Sequence, residues 1–429
     1  MPSEIIVKNK TNIVSKTAQN LIGSEIIKLA GEIKDKISKG EKIYNLTIGD
    51  FDSNLFPIPS EFREEIIKAY RLNETNYPDA SGVYDLRNAV SGYLAKFGKL
   101  QYNADEILIS AGARPLIFSM YQTLIDKDDK IIYPVPSWNN NHYSYLSHAQ
   151  VIEIETKAEN KFMPLASELE PYLKDATLLA LCSPLNPTGT MFDKDELEEI
   201  CDLILEENNR RGSDKKPLYL MYDQIYWALT FGETKHHNPV TLRPEMKNYT
   251  IFIDGMSKAF AATGVRVGWA SGPAEIISKM KAILTHIGAW APKPEQIAAA
   301  KYLSNHEAVS SYISKMNERV QFRLLKFHMG FQQLKNEGFP VDSVAPEGAI
   351  YLTVKLQLKG FQTDDGFILE TGKDISEFLI NTAGVGLVPF SAFGANNHDW
   401  FRLSVGTCPS SDIEPILLNI KNALKTLSF

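Results

Sequence analysis

Apolar residues at Ile26, Ile27, Ala30, Ile33 and Ile37 recur at the spacing of one helix face and predict an amphipathic helix over residues 24–39. Ser24 suits its N-cap and Gly40 its stop, and an N-terminal arm precedes it. Between about residues 105 and 275 short β-rich runs alternate with helical stretches, the pattern of a mostly parallel sheet covered by helices. The candidate strands are 107–110, 130–133, 178–182, 218–222, 251–253 and 267–270. Beyond about residue 300 the period becomes helical through Val309, Tyr312, Met316, Val320 and Leu324. Strand candidates then follow near 349–354 and 401–405, so this tail and the N-terminal helix are expected to form a smaller α+β domain. The division expected is 55–305 for the large domain, with 1–54 and 306–429 making the small one.

Composition narrows the class. The 429 residues exceed the usual size of one hydrophobic core. A 44% hydrophobic and 23% charged content is that of an ordinary globular protein, and the net charge of -7 does not suggest a nucleic-acid surface. No stretch approaches the roughly 20 apolar residues of a membrane span, and a cytoplasmic location is expected. Cys182, Cys201 and Cys408 are odd in number, far apart and in no C-x-x-C arrangement, so they read as reduced thiols. His236 and His237 lack a second ligand cluster at metal spacing and read as a solvated loop; no metal is expected.

In an open α/β sheet ligands sit outside the carboxyl ends of the strands. The residues that follow the predicted strands there are Gly112, Ala113 and Arg114, then Asn186, then Asp223 with Tyr226, then Ser257 and Lys258. Taken singly each has an ordinary role. The small residues are packing at a turn, Asn186-Pro187 is a turn initiator, Asp223 is a helix N-cap and Lys258 is a surface lysine. Together they fit pyridoxal phosphate, an electron sink carried by a lysine Schiff base. Its pyridine nitrogen stays protonated beside a carboxylate, which Asp223 supplies. Its phenolic oxygen wants donors such as Asn186 and Tyr226. Its phosphate wants a helix N-terminus with cations and hydroxyls, for which Gly112, Ala113, Ser257 and Arg266 are suited.

The blocks SPLNPTGT at 183–190, MYDQIYW at 221–227 and SKAFAATGVRVGW at 257–269 resemble the signatures of class I/II aminotransferases. NLTIGDF, YPDASGVYDLR, ISAGARP, PVPSW, PEGAIYL and FRLSVG support the resemblance in the expected order across nearly the whole chain. It implies fold-type I architecture, with a mostly parallel seven-stranded sheet flanked by helices in the large domain. It also implies ping-pong transfer of an amino group between an L-amino acid and a 2-oxo acid. Lys258 would be both nucleophile and proton carrier, and Trp138 would stack on the pyridine ring. Arg114 would join the cofactor residues. Arg402, with Asn186 and the Gly49 amide, would hold the substrate carboxylate. Tyr77 would reach the cofactor phosphate of a second subunit, which implies a homodimer.

Departures from the family pattern bear on the substrate. Phe390 and Phe51 stand where glycine and proline are usual, and Phe390 would narrow the substrate side. His286 falls where dicarboxylate-specific relatives place an arginine, which points away from aspartate and glutamate. Trp290 with Tyr226 and Phe390 would make an aromatic-tolerant pocket, or else belong to the core. The competing activity is a β- or γ-eliminating lyase, because these blocks serve the cofactor and do not choose the reaction. A transcription regulator carrying this fold is disfavoured by the roughly 45 residues before NLTIGDF, too few for a DNA-binding module. An inactive relative is disfavoured by the intact set of Asn186, Asp223, Lys258 and Arg266.

Overall fold

A computed structural model describes residues 13–428 other than positions 22, 24, 214, 397 and 398. The expected Ser24 cap and most of the N-terminal arm lie outside the described residues. The first long helix is Glu25–Ser38. It buries only Ile33 fully, while Ile27 and Ile37 of its apolar face are exposed.

The strands in chain order are β1 (Tyr44–Asn45), β2 (Ile107–Ser110), β3 (Lys130–Val135), β4 (Gln150–Glu155), β5 (Ala176–Cys182), β6 (Tyr219–Asp223) and β7 (Thr250–Gly255). They continue as β8 (Gly268–Ser271), β9 (Val341–Ser343), β10 (Tyr351–Leu356), β11 (Val385–Gly386), β12 (Val388–Pro389) and β13 (Trp400–Ser404). Seven form one sheet in the order β2-β8-β7-β6-β5-β3-β4. It is α/β and mostly parallel, with β8 antiparallel to both of its neighbours. β4 was not among the expected strands. It is an edge strand with four of its six side chains exposed, so its QVIEIE sequence lacks the continuous apolar run that marks the central strands.

Both faces of the sheet are apolar because helices cover both. Along β5, Leu179 and Leu181 enter one core cluster while Leu178 and Ala180 enter the other. Along β2, Ile107 and Ile109 alternate with Leu108 in the same way. A third cluster packs Met316, Val320, Leu324, Phe327 and Phe331 of the helix His306–Asn336 against β10 and β13. β10 and β13 belong to a four-stranded sheet, β12-β13-β10-β9. β1 pairs in parallel with β11, which carries the segment after β1 alongside β13. Ser404 N donates to Leu46 O there at 2.9 Å, so Gly49 and Arg402 are drawn together.

One register detail matters for chemistry. The strand expected at 218–222 runs one residue further, so Asp223 is the last residue of β6 and caps no helix. Cys182 of β5 and Ile253 of β7 are its cross-strand partners, which sets Asp223 between the two loops that carry Asn186 and Lys258.

Candidate active site

The carboxyl ends of β2, β5, β6 and β7 open into a cavity of about 840 Å³. Gly49, Ala113, Arg114, Trp138, Asn186, Asp223, Tyr226, Ser257, Lys258, Arg266 and Arg402 all line it.

At the end of β2, Gly112 (φ +88°) turns the chain into the helix Ala113–Leu124. Arg266 lies across that turn and donates from Nη2 to Ala111 O at 2.7 Å and from Nη1 to Thr263 O. A Cβ at position 112 would lie 2.2 Å from Arg266 Nη2, so only glycine at this positive φ lets the guanidinium reach the helix start. Ala113 at the start of this helix, Ser257 and Arg266 all line the cavity, a set whose helix amides and guanidinium would suit an anion.

Asp223 is 9% exposed, and its Oδ1 accepts the Ile225 amide at 3.0 Å. Burial raises its pKa to about 6, against the opposing pull of that amide and of Lys258. At neutral pH it is a carboxylate whose second oxygen has no hydrogen-bond donor among the described residues. The Lys258 amine donates to Gly49 O at 2.5 Å. Burial lowers its pKa to about 8; Asp50 opposes this, and Arg402, Arg114 and Arg266 add to it. A neutral, nucleophilic amine is therefore accessible near physiological pH.

Arg402 is 2% exposed and anchored by Nη1 to Asn186 Oδ1 at 2.9 Å and by Nη2 to Thr47 O at 2.6 Å. Its Nε is buried without a partner, and no carboxylate contacts the guanidinium among the described residues. A buried guanidinium in this state lacks a counter-ion that a carboxylate ligand would supply. The donor set thus fits pyridoxal phosphate group by group: amine, carboxylate, phenol, anion cradle, and a separate site for a carboxylate.

Comparison with known proteins decides the family. A family model described as aminotransferase class I and II matches residues 41–420. The chain belongs to this family. It is a pyridoxal-phosphate-dependent aminotransferase of fold-type I. A probable aspartate/prephenate aminotransferase of Rickettsia felis is 28% identical over 424 residues, covering 97% of this chain and 98% of the relative. The aspartate aminotransferase of Bacillus subtilis is 26% identical, covering 92% and 94%. The solved aspartate aminotransferase of Rhizobium meliloti superposes with a TM-score of 0.87 at 25% identity, covering 97% of this chain and 99% of that one.

Several expected positions fall elsewhere in this aminotransferase. Phe390 is fully buried against Phe162, 5.2 Å between ring centroids, and does not line the cavity. His286 is exposed at the end of the helix Ala274–Ile287, and Trp290 packs edge-on to Tyr77 at 5.2 Å. Of Tyr226, Trp290 and Phe390, which could belong either to a pocket or to the core, only Tyr226 lines the cavity of this chain. Periodicity gave no means of separating pocket aromatics from core aromatics here. Tyr77 is 81% exposed and outside its own chain's cavity. His236 is no solvated residue: its Nε2 lies 3.1 Å from Ser183 O, and desolvation lowers its pKa to about 3, keeping the ring neutral. Among the described residues no helix is long and apolar enough to cross a membrane, and the three cysteines are unpaired.

Several cavity residues were given no role from the sequence, and three of them stand beside Lys258 and Arg402. Asp50, Thr263 and Tyr351 each stand inside a quoted motif, but their roles depend on contacts between distant segments. Thr263 Oγ1 donates to Asp50 Oδ1 at 2.7 Å, linking the Gly49 loop to the Lys258 loop.

Proposed function

We propose that this enzyme transfers the amino group of an acidic L-amino acid, aspartate foremost, to a 2-oxo acid by a ping-pong exchange. The observation that carries the choice of donor is Arg114. Its guanidinium lies 4.7 Å from the Trp138 ring centroid, lines the cavity and has no carboxylate partner among the described residues. With Arg402 for the α-carboxylate, Arg114 supplies a second cation for a side-chain carboxylate, a role in place of the cofactor contact expected from its motif. The Rickettsia relative, a probable aspartate/prephenate aminotransferase, and the Bacillus relative, an aspartate aminotransferase, support the same donor. Arg114→Gln is expected to lower kcat/KM for aspartate by roughly tenfold to a hundredfold while leaving alanine within about twofold. Equal losses for both donors, or faster turnover of aromatic donors than of aspartate by the unaltered enzyme, would refute the assignment.

In this reading pyridoxal phosphate, when bound, supplies the electron sink that stabilises negative charge at the substrate α-carbon. Lys258 would hold it through its amine, and that amine, when free, would serve as the base for the substrate α-proton. Asp223 would keep a proton at the ring nitrogen, Asn186 and Tyr226 would bond the phenolic oxygen, and Arg402 would hold the substrate carboxylate. Trp138 would stack on the ring.

We also assign a homodimeric, cytoplasmic state. Tyr77 is exposed in its own chain, which supports its reaching the anion cradle of a second copy, and the unpaired cysteines agree with a reducing compartment. Sedimentation should give a particle of about twice 48.1 kDa. A monomer with full activity would rule this out.

A further inference from the structure

Tyr351 begins β10, is fully buried, and touches three residues of the cavity. Its hydroxyl lies 2.6 Å from the Tyr226 hydroxyl. The Arg402 guanidinium carbon lies 4.6 Å from its ring centroid, with Phe393 on another side at 4.9 Å. A Cβ at Gly49 would come within 2.6 Å of the Tyr351 hydroxyl, so the backbone there closes tightly over it.

We propose that Tyr351 is a positioning residue with two separable roles: its ring holds the Arg402 guanidinium for the substrate carboxylate, and its hydroxyl donates to Tyr226, directing the Tyr226 proton into the cavity. The proposal rests on the reading that Tyr226 serves the cofactor's phenolic oxygen. The ring role follows from Arg402's other partners. A carbonyl and an amide oxygen fix two of its nitrogens, Nε has no hydrogen-bond partner among the described residues, and two aromatic faces flank the guanidinium. A desolvated cation–π contact keeps such a group in place without neutralising it.

The hydroxyl role follows from counting protons. Only one of the two phenol protons can lie between oxygens 2.6 Å apart. A cation over the ring makes a phenol the better donor, and Arg402 is closer to the Tyr351 ring than Lys258 is to Tyr226, 4.6 against 5.7 Å. Tyr351 is therefore the donor, and Tyr226, accepting its proton, becomes a stronger donor in turn.

The test uses the holoenzyme, with the pH midpoint of the bound cofactor's visible band and the dissociation constant of succinate as readouts. Weaker donation from Tyr226 leaves more negative charge on the phenolic oxygen, which holds the proton shared with the lysine linkage more tightly. Tyr351→Phe should therefore raise the midpoint by about half a unit to one unit while leaving succinate binding within about twofold. Tyr351→Leu should raise the midpoint and also weaken succinate by about tenfold. Adding Tyr351→Phe to Tyr226→Phe should move the midpoint no further. Where Tyr351→Leu does not fold, Phe393→Leu should weaken succinate with the midpoint unmoved. An unmoved midpoint in Tyr351→Phe, when Tyr226→Phe does move it, overturns the hydroxyl role. Equal succinate losses in the Phe and Leu variants overturn the ring role. If Tyr226→Phe itself leaves the midpoint in place, the reading of Tyr226 fails instead, and the hydroxyl role falls with it.

Discussion

Lys258→Ala lowers kcat for transamination by about ten-thousand-fold or more and abolishes the visible band of the lysine-bound cofactor. Two functions are lost at once. The amine that bonds the cofactor is gone, and so is the base that moves the α-proton. The site prepares Lys258 for both. Burial and three arginines bring the amine to a pKa of about 8, so about one molecule in ten is neutral at pH 7, far more than for an exposed lysine. Exogenous small amines should restore part of the proton transfer, because the cavity left behind is lined by the same groups. Stopped-flow and steady-state rates with aspartate check this result. A variant that keeps more than about one hundredth of the activity would contradict the role given to Lys258.

Asp223→Asn lowers kcat by roughly a hundredfold to a thousandfold. The amide retains the oxygen that accepts the Ile225 amide, so the local turn is preserved and only the charge is removed. Without the anion the ring-nitrogen pKa falls by about one to three units, and the electron sink weakens in proportion to the protonated fraction. The pH dependence has a definite sign. Burial raises Asp223 to about 6 in the cofactor-free chain, so the carboxylate is present above that pH and is lost as pH falls through it. Reconstitution with the cofactor should weaken as pH falls below about 6 in the unaltered protein. It should show no such step in Asp223→Asn. Titration of cofactor binding across that range distinguishes the two, and identical profiles would exclude Asp223 as the group responsible.

The central sheet was legible because its strands are buried on both faces, which leaves uninterrupted apolar runs such as 178–182 in the sequence. The site was legible for a related reason. Asn186, Asp223 and Lys258 each follow one of those runs, so strand ends and polar punctuation coincide. The edge strand β4 and the two-residue strands lack that signal. Substrate-side aromatics were not legible, because Phe390 and Trp290 differ from pocket residues only in tertiary position. The pairing of Tyr351 with Tyr226 joins positions 125 residues apart, and no local pattern encodes it.

Borohydride reduction followed by peptide mapping tests most directly whether Lys258 carries the cofactor. Reduction fixes the lysine–cofactor bond as a stable secondary amine, and the bleached enzyme can be digested and weighed. The peptide containing Ser257, Lys258 and Ala259 should carry the added mass of the reduced pyridoxyl phosphate group on Lys258, with none on other lysines. Label on a different lysine, or an unlabelled Lys258 peptide from fully bleached enzyme, would contradict the account.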